Sequence, residues 1–168
     1  LRIEERPLAG LGRNEVRLRV RAGGICGSDL HYFFPGRVGD FVIREPLVPG
    51  HEFAGDIVEV GAKYADQYKP GQKFTIQPSL NYKGSMDSPG YSYEFCGGDA
   101  TYCILPHEVF DCGCFLVYEG EAYYEASLAE PMSCSIGAFH AAYHTHMVFN
   151  ETATGNKETR TLPVTPAA

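Results

Sequence analysis

The sequence predicts a mainly β domain with some helix. Three observations carry that expectation. Short stretches alternate apolar and charged residues, as half-buried strands do. Glycine and proline punctuate them at close spacing, as in small barrels and sandwiches. One later segment alone, Tyr124 to Thr145, is rich in helix formers.

Taken in order, Leu1 to Glu5 alternates like a strand, so the chain is expected to enter in mid-element. Glu15 to Arg21 alternates charge with Val16, Leu18 and Val20, and Gly23 and Gly24 end it. Phe53 to Val60 reads as a second strand closed by Gly61. Lys69-Pro70-Gly71 is a turn, and Gln72 to Gln77 is a third strand. Ala100 to Leu105 is a fourth, stopped by Pro106. Ser79 to Gly98 is a long polar, aromatic loop of the kind that often carries function. Its residues Tyr82, Tyr91, Tyr93 and Phe95 either line a cleft or cover the barrel, and covering is favoured. In the helical segment, Pro131 has to stand in a first turn or at a boundary. Asn150 to Ala168, rich in Thr, Pro and charge, reads as a tail, a partly ordered strand or a splice.

Composition narrows the function. At 168 residues the chain can bury one full core. Its net charge of -7 argues against nucleic-acid binding. No apolar run is long enough to span a membrane, and LRIEERPL lacks a signal peptide's apolar region. Six cysteines without paired CxxC knuckles fit a reduced, cytoplasmic protein better than a disulfide scaffold. The sequon Asn150-Glu151-Thr152 is discounted on the same ground. No GxGxxG follows any strand, so no dinucleotide fingerprint is present.

Three motifs bring metal-ligating residue types. Cys26 follows two glycines in AGGICGSDLHY, where turn amides can stabilise a thiolate, though a lone cysteine is more often inert. His51 and Glu52 are adjacent in PGHEFAG. Neighbouring strand residues point to opposite faces, so both reach one ion only if the backbone bends, which Pro49-Gly50 allows. Gly55 stands where a second histidine of HExxH would be, which disfavours a zinc hydrolase. Glu130, before Pro131 in LAEPMSC, is either an exposed helix-start carboxylate or one held on a partner.

In order and spacing, GGICGSDLHY, VPGHEFAGDIVEVG, LPHEVF and LAEPMSC resemble the catalytic domain of the zinc-dependent medium-chain dehydrogenases/reductases. The resemblance covers about residues 1 to 145. GICGSDLHYFFPGRVGDF is similar to polyol dehydrogenases of the sorbitol and idonate type. GGDATYCILPHEV and SLAEPMSCSIGAFHAAYHT are closer to the L-sorbose 1-phosphate reductases.

The resemblance implies a GroES-like, partly open β barrel over residues 1-146. Residues 147-168 would be a tail or a returning C-terminal segment, with the Rossmann cofactor domain absent. It implies one catalytic zinc held by Cys26, His51, Glu52 and Glu130. Ser28 would bond the substrate oxygen, and His31 would relay its proton. Asp29 is expected to form a turn. Zinc acidifies a bound alcohol, which gives hydride to NAD or NADP. The partner would be a small polyol, ketose or sugar phosphate, and a homo-oligomer is compatible with the full-length form. Such a fragment would be inactive alone, and a non-catalytic GroES-like module is the alternative. The family's second, four-cysteine zinc is not expected, because that loop offers Cys96 alone. Cys112-Gly113-Cys114 and the pair His140 and His144, with His146 after them, are weak metal candidates. Cys103 and Cys134 are expected in packing roles.

Overall fold

A computed structural model describes residues 1–92, 96–151 and 157–163, with side chains through residue 140. Two units are distinguished, residues 1–130 and 131–168.

The first unit is built on β1 (Val16–Gly23), β4 (Phe53–Val60), β5 (Lys73–Ile76), β6 (Tyr102–Leu105) and β7 (Phe115–Tyr118). They form an open antiparallel sheet in the order β6-β1-β4-β5-β7. Two-residue strands β2 (Arg37–Val38) and β3 (Phe41–Val42) make a small hairpin beside the short helix α1 (Gly27–Phe33). Helix α2 (His107–Asp111) follows β6, and α3 (Tyr123–Ser127) lies against β1 and β4.

Alternation decides which face each side chain takes. Val16 and Leu18 are fully buried, while Arg17 and Arg21 reach across to Glu59 and Asp56 on β4. Phe53, Ile57, Phe74, Ile76, Leu105, Val109 and Phe115 complete the core. Phe74 stacks on Phe115 with centroids 5.4 Å apart, and Phe53 meets Phe74 edge-on. The sheet brings two ends together. Gly23 and Phe53 are paired at the end of β1 and the start of β4. The segments that leave the sheet there, residues 24–29 and 49–52, therefore meet.

Several sequence expectations change. Leu1 to Glu5 alternates but forms no strand. The single helix expected from Tyr124 to Thr145 is two, α3 and α4 (Ala129–His144), broken at Leu128. Pro131 explains the break. It has no N–H to give to Ser127, and its ring excludes a helical carbonyl there. β7, apolar in FLVY without alternation, was not anticipated.

In the second unit α4 runs into β8 (Thr145–Glu151), which pairs antiparallel with β9 (Lys157–Pro163). Tyr93 and Phe95, residues 152–156 and 164–168, and the side chains of His144 and His146 lie outside the described residues.

Candidate metal centre

Cys26 caps the start of α1. Its N–H donates to Asp29 Oδ2 at 2.8 Å, and the Asp29 N–H donates back to the Cys26 carbonyl at 3.1 Å. This reciprocal bond fixes where the thiol points. Opposite it, Gly50 takes φ +90, a conformation that glycine adopts at little cost. Gly98 and Asp99 donate their N–H groups to the carbonyls of Gly50 and Pro49 at 2.7 and 2.9 Å. The chain thus bends before β4 begins, and His51 and Glu52 leave the strand's alternation. The Gly24 N–H donates to the Glu52 carbonyl at 2.6 Å and ties the two segments together. A Cβ at Gly24 would run into the Glu52 carboxyl group.

The outcome is that Cys26, His51 and Glu52 converge. One ligand atom from each lies within 4.8 Å of the other two. A tetrahedral zinc with these donors separates its ligands by about 3.3–3.8 Å, so small side-chain rotations close the gap. His51 is 1% exposed and Glu52 6%. A buried imidazole and carboxylate are costly without partners. Yet His51 Nδ1 and Asp29 Oδ1 are both buried without a hydrogen bond, and they face each other at 3.6 Å. His51 Nδ1 is thus on the side of Asp29, and Nε2 is on the side of Glu52 at 3.9 Å. The donor set therefore suits a borderline-soft divalent ion such as zinc.

Other expected residues stand nearby in different ways. Ser28 Oγ shares a hydrogen bond with the Tyr91 hydroxyl at 2.9 Å. His31 is exposed in the last turn of α1. Glu130 is half-buried in the first turn of α4 and outside the converging trio, though its charge reaches Tyr91. None of the six cysteines is in a disulfide, and Cys134, expected in a packing role, is exposed on α4. Burial pushes the Cys103 thiol up to about 12, and Cys96 also well up, as core thiols.

Two residues do more than their local sequence implies. Asp29 forms the expected turn and also faces His51. Tyr91, expected to cover the barrel, stands beside the converging residues. Its ring lies 4.3 Å from that of His51 and 5.4 Å from Tyr32. Burial pushes its phenol well above the usual range, helped by Cys26, Asp29 and Glu130, while the Ser28 hydrogen bond opposes. Nothing local in GYS signals this, since it depends on how the loop folds back. A recess of about 210 Å³ lies beside it, lined by Tyr32, Asp40, Phe41, Val42, Arg44, Tyr91 and Ser92.

Residues 12–153 match the alcohol dehydrogenase GroES-like domain. The chain belongs to that family. Over 165 residues, 96% of its length, it is 49% identical to a mannitol-1-phosphate 5-dehydrogenase of Aliivibrio fischeri. Over 148 residues, 86% of its length, it is 40% identical to an L-sorbose 1-phosphate reductase of Klebsiella pneumoniae. These matches cover 39% and 36% of the two relatives, so the chain spans under half of their length. The structure superposes on 2R,3R-butanediol dehydrogenase from Bacillus subtilis with a TM-score of 0.68 at 26% identity. That match covers 83% of this chain and 44% of the other. The GroES-like fold read from the motifs is thus established, as an open sheet rather than a closed barrel. Among the described residues no helix is long and apolar enough to cross a membrane.

Proposed function

We propose that this chain is the zinc-binding catalytic domain of an NAD(P)-dependent oxidoreductase that interconverts a polyol and a ketose, or their phosphates. The observation that carries this is the convergence of Cys26, His51 and Glu52 in a domain of this family. Two relatives named for hexitol or ketose phosphates support the substrate class. Residues 1-146 form the catalytic domain in this reading, and 147-168 a returning segment. The nicotinamide would be held by the larger share of the relatives' length that the match leaves out. Six cysteines outside any disulfide fit a cytoplasmic setting. An oligomer in the full-length form is part of the same reading.

Cys26, His51 and Glu52 would hold the zinc, with Glu130 brought in from α4 as a further carboxylate. When bound, zinc would polarise the substrate oxygen and the nicotinamide would accept the hydride. Asp29 would hold the His51 ring and tautomer. Ser28 would hydrogen-bond the substrate oxygen, and exposed His31 would pass the released proton to solvent. In the reductive direction the same groups would return it.

The test is nicotinamide oxidation by the full-length protein with L-sorbose 1-phosphate or fructose. Activity that disappears in Cys26→Ser, with the fold retained, supports the proposal. Activity that survives the substitution refutes it.

A further inference from the structure

Ser28 faces a second hydroxyl group, and that group belongs to a residue that also touches the metal centre. Tyr91 bonds Ser28 through its hydroxyl at 2.9 Å and covers His51 with its ring. The loop that carries it is braced. The Gly90 N–H donates to the Cys96 carbonyl at 2.7 Å, the Ser88 hydroxyl to Pro78 at 2.6 Å, and the Ser88 N–H to Ser92 Oγ at 2.9 Å. Tyr91 also lines the recess that offers Asp40, Arg44 and Ser92.

We propose that Tyr91 is a positioning residue for alcohol recognition: its phenol donates to Ser28 Oγ, so that the Ser28 proton is turned toward the oxygen of a substrate held beside Cys26 and His51. This rests on reading the site as an alcohol-handling metal centre. A serine hydroxyl has one proton and several staggered positions for it. A neighbour that donates to its lone pair removes the wrong ones. Donation also polarises the serine O–H, which strengthens the bond it makes in turn. No covalent step is involved.

The test uses the whole chain loaded with Co2+, whose visible absorption reports both metal binding and changes around the metal. The probe is sorbitol, titrated to molar concentration. Wild type, Ser28→Ala, Tyr91→Phe and the double variant are compared. Phenylalanine keeps the ring against His51, so cobalt affinity should stay within about twofold of wild type. Each single variant should weaken sorbitol binding roughly fivefold, the value of one neutral hydrogen bond. The double variant should be no weaker than Ser28→Ala, because the pair acts as a unit.

Sorbitol binding by Tyr91→Phe equal to wild type would overturn the inference, as would additive losses in the double variant. So would a cobalt-loaded wild type that leaves sorbitol unbound. A wild-type chain that takes up no cobalt would instead strike at the metal centre itself, which separates the two failures.

Discussion

Asp29→Asn separates the two jobs that Asp29 performs. One carboxylate oxygen accepts from the Cys26 N–H at 2.8 Å, and the asparagine carbonyl can do the same. The other faces His51 Nδ1 at 3.6 Å. In asparagine that position holds an NH2 group, which would point a donor at a donor or force the ring to turn. Loss of such a support for a metal-bound histidine typically costs about 10- to 100-fold in affinity, or roughly 1.4–2.8 kcal/mol. Zinc affinity, measured by competition with a chromophoric chelator at neutral pH, should fall by that factor. Thermal unfolding of the metal-free protein should move little. Asp29→Ala should show the same loss of affinity and in addition lose about 1 kcal/mol of stability, because the acceptor at the start of α1 is gone. An asparagine variant that binds zinc as tightly as wild type would refute the assignment of Asp29 to His51.

Further outcomes follow from other contacts. A Cβ at Gly61 would lie within 2.6 Å of three carbonyl oxygens, those of Arg13, Glu15 and Gly12. Gly61→Ala should therefore cost about 1–3 kcal/mol in a denaturant titration, and an unchanged midpoint would contradict the packing. Burial opposes the charge on Asp56, but the Tyr123 hydroxyl and the Arg21 guanidinium outweigh it, and its pKa is lowered. The stability this supplies is complete above the ordinary carboxylate value of about 3.9 and is lost as pH falls through the lowered one. Asp56→Asn should flatten the acid limb of the melting curve, whereas parallel curves would refute the coupling. Native alkylation followed by mass spectrometry should label exposed Cys134 readily and spare Cys96 and Cys103 until the protein unfolds. Early labelling of Cys103 would mean that the core is not as described.

What could be read from the sequence divides along a physical line. β4 has the bounds expected from FAGDIVEV, and β1, β5 and β6 fall within two residues of theirs, because alternation and turn residues are local signals. β7 was invisible, since four apolar residues without alternation fit a strand or a helix equally. The strand pattern of Leu1 to Glu5 failed for the converse reason: alternation makes a strand only where a neighbour supplies hydrogen bonds.

The meeting of Cys26 with His51 and Glu52 was implied by resemblance, and the bend it needs was legible in Pro49-Gly50. The Asp29–His51 approach and the Tyr91–Ser28 bond were not legible. The first depends on the β1–β4 register and the second on a 20-residue loop folding back, and neither leaves a mark in the local sequence.

Cys26, His51 and Glu52 are proposed to hold one zinc. Zinc content by mass spectrometry, on wild type beside Cys26→Ala and His51→Ala, tests it most directly. About one zinc per wild-type chain is expected, lost in both variants. A wild type that takes up no zinc on reconstitution, or variants that keep it, would show that these residues do not hold the metal.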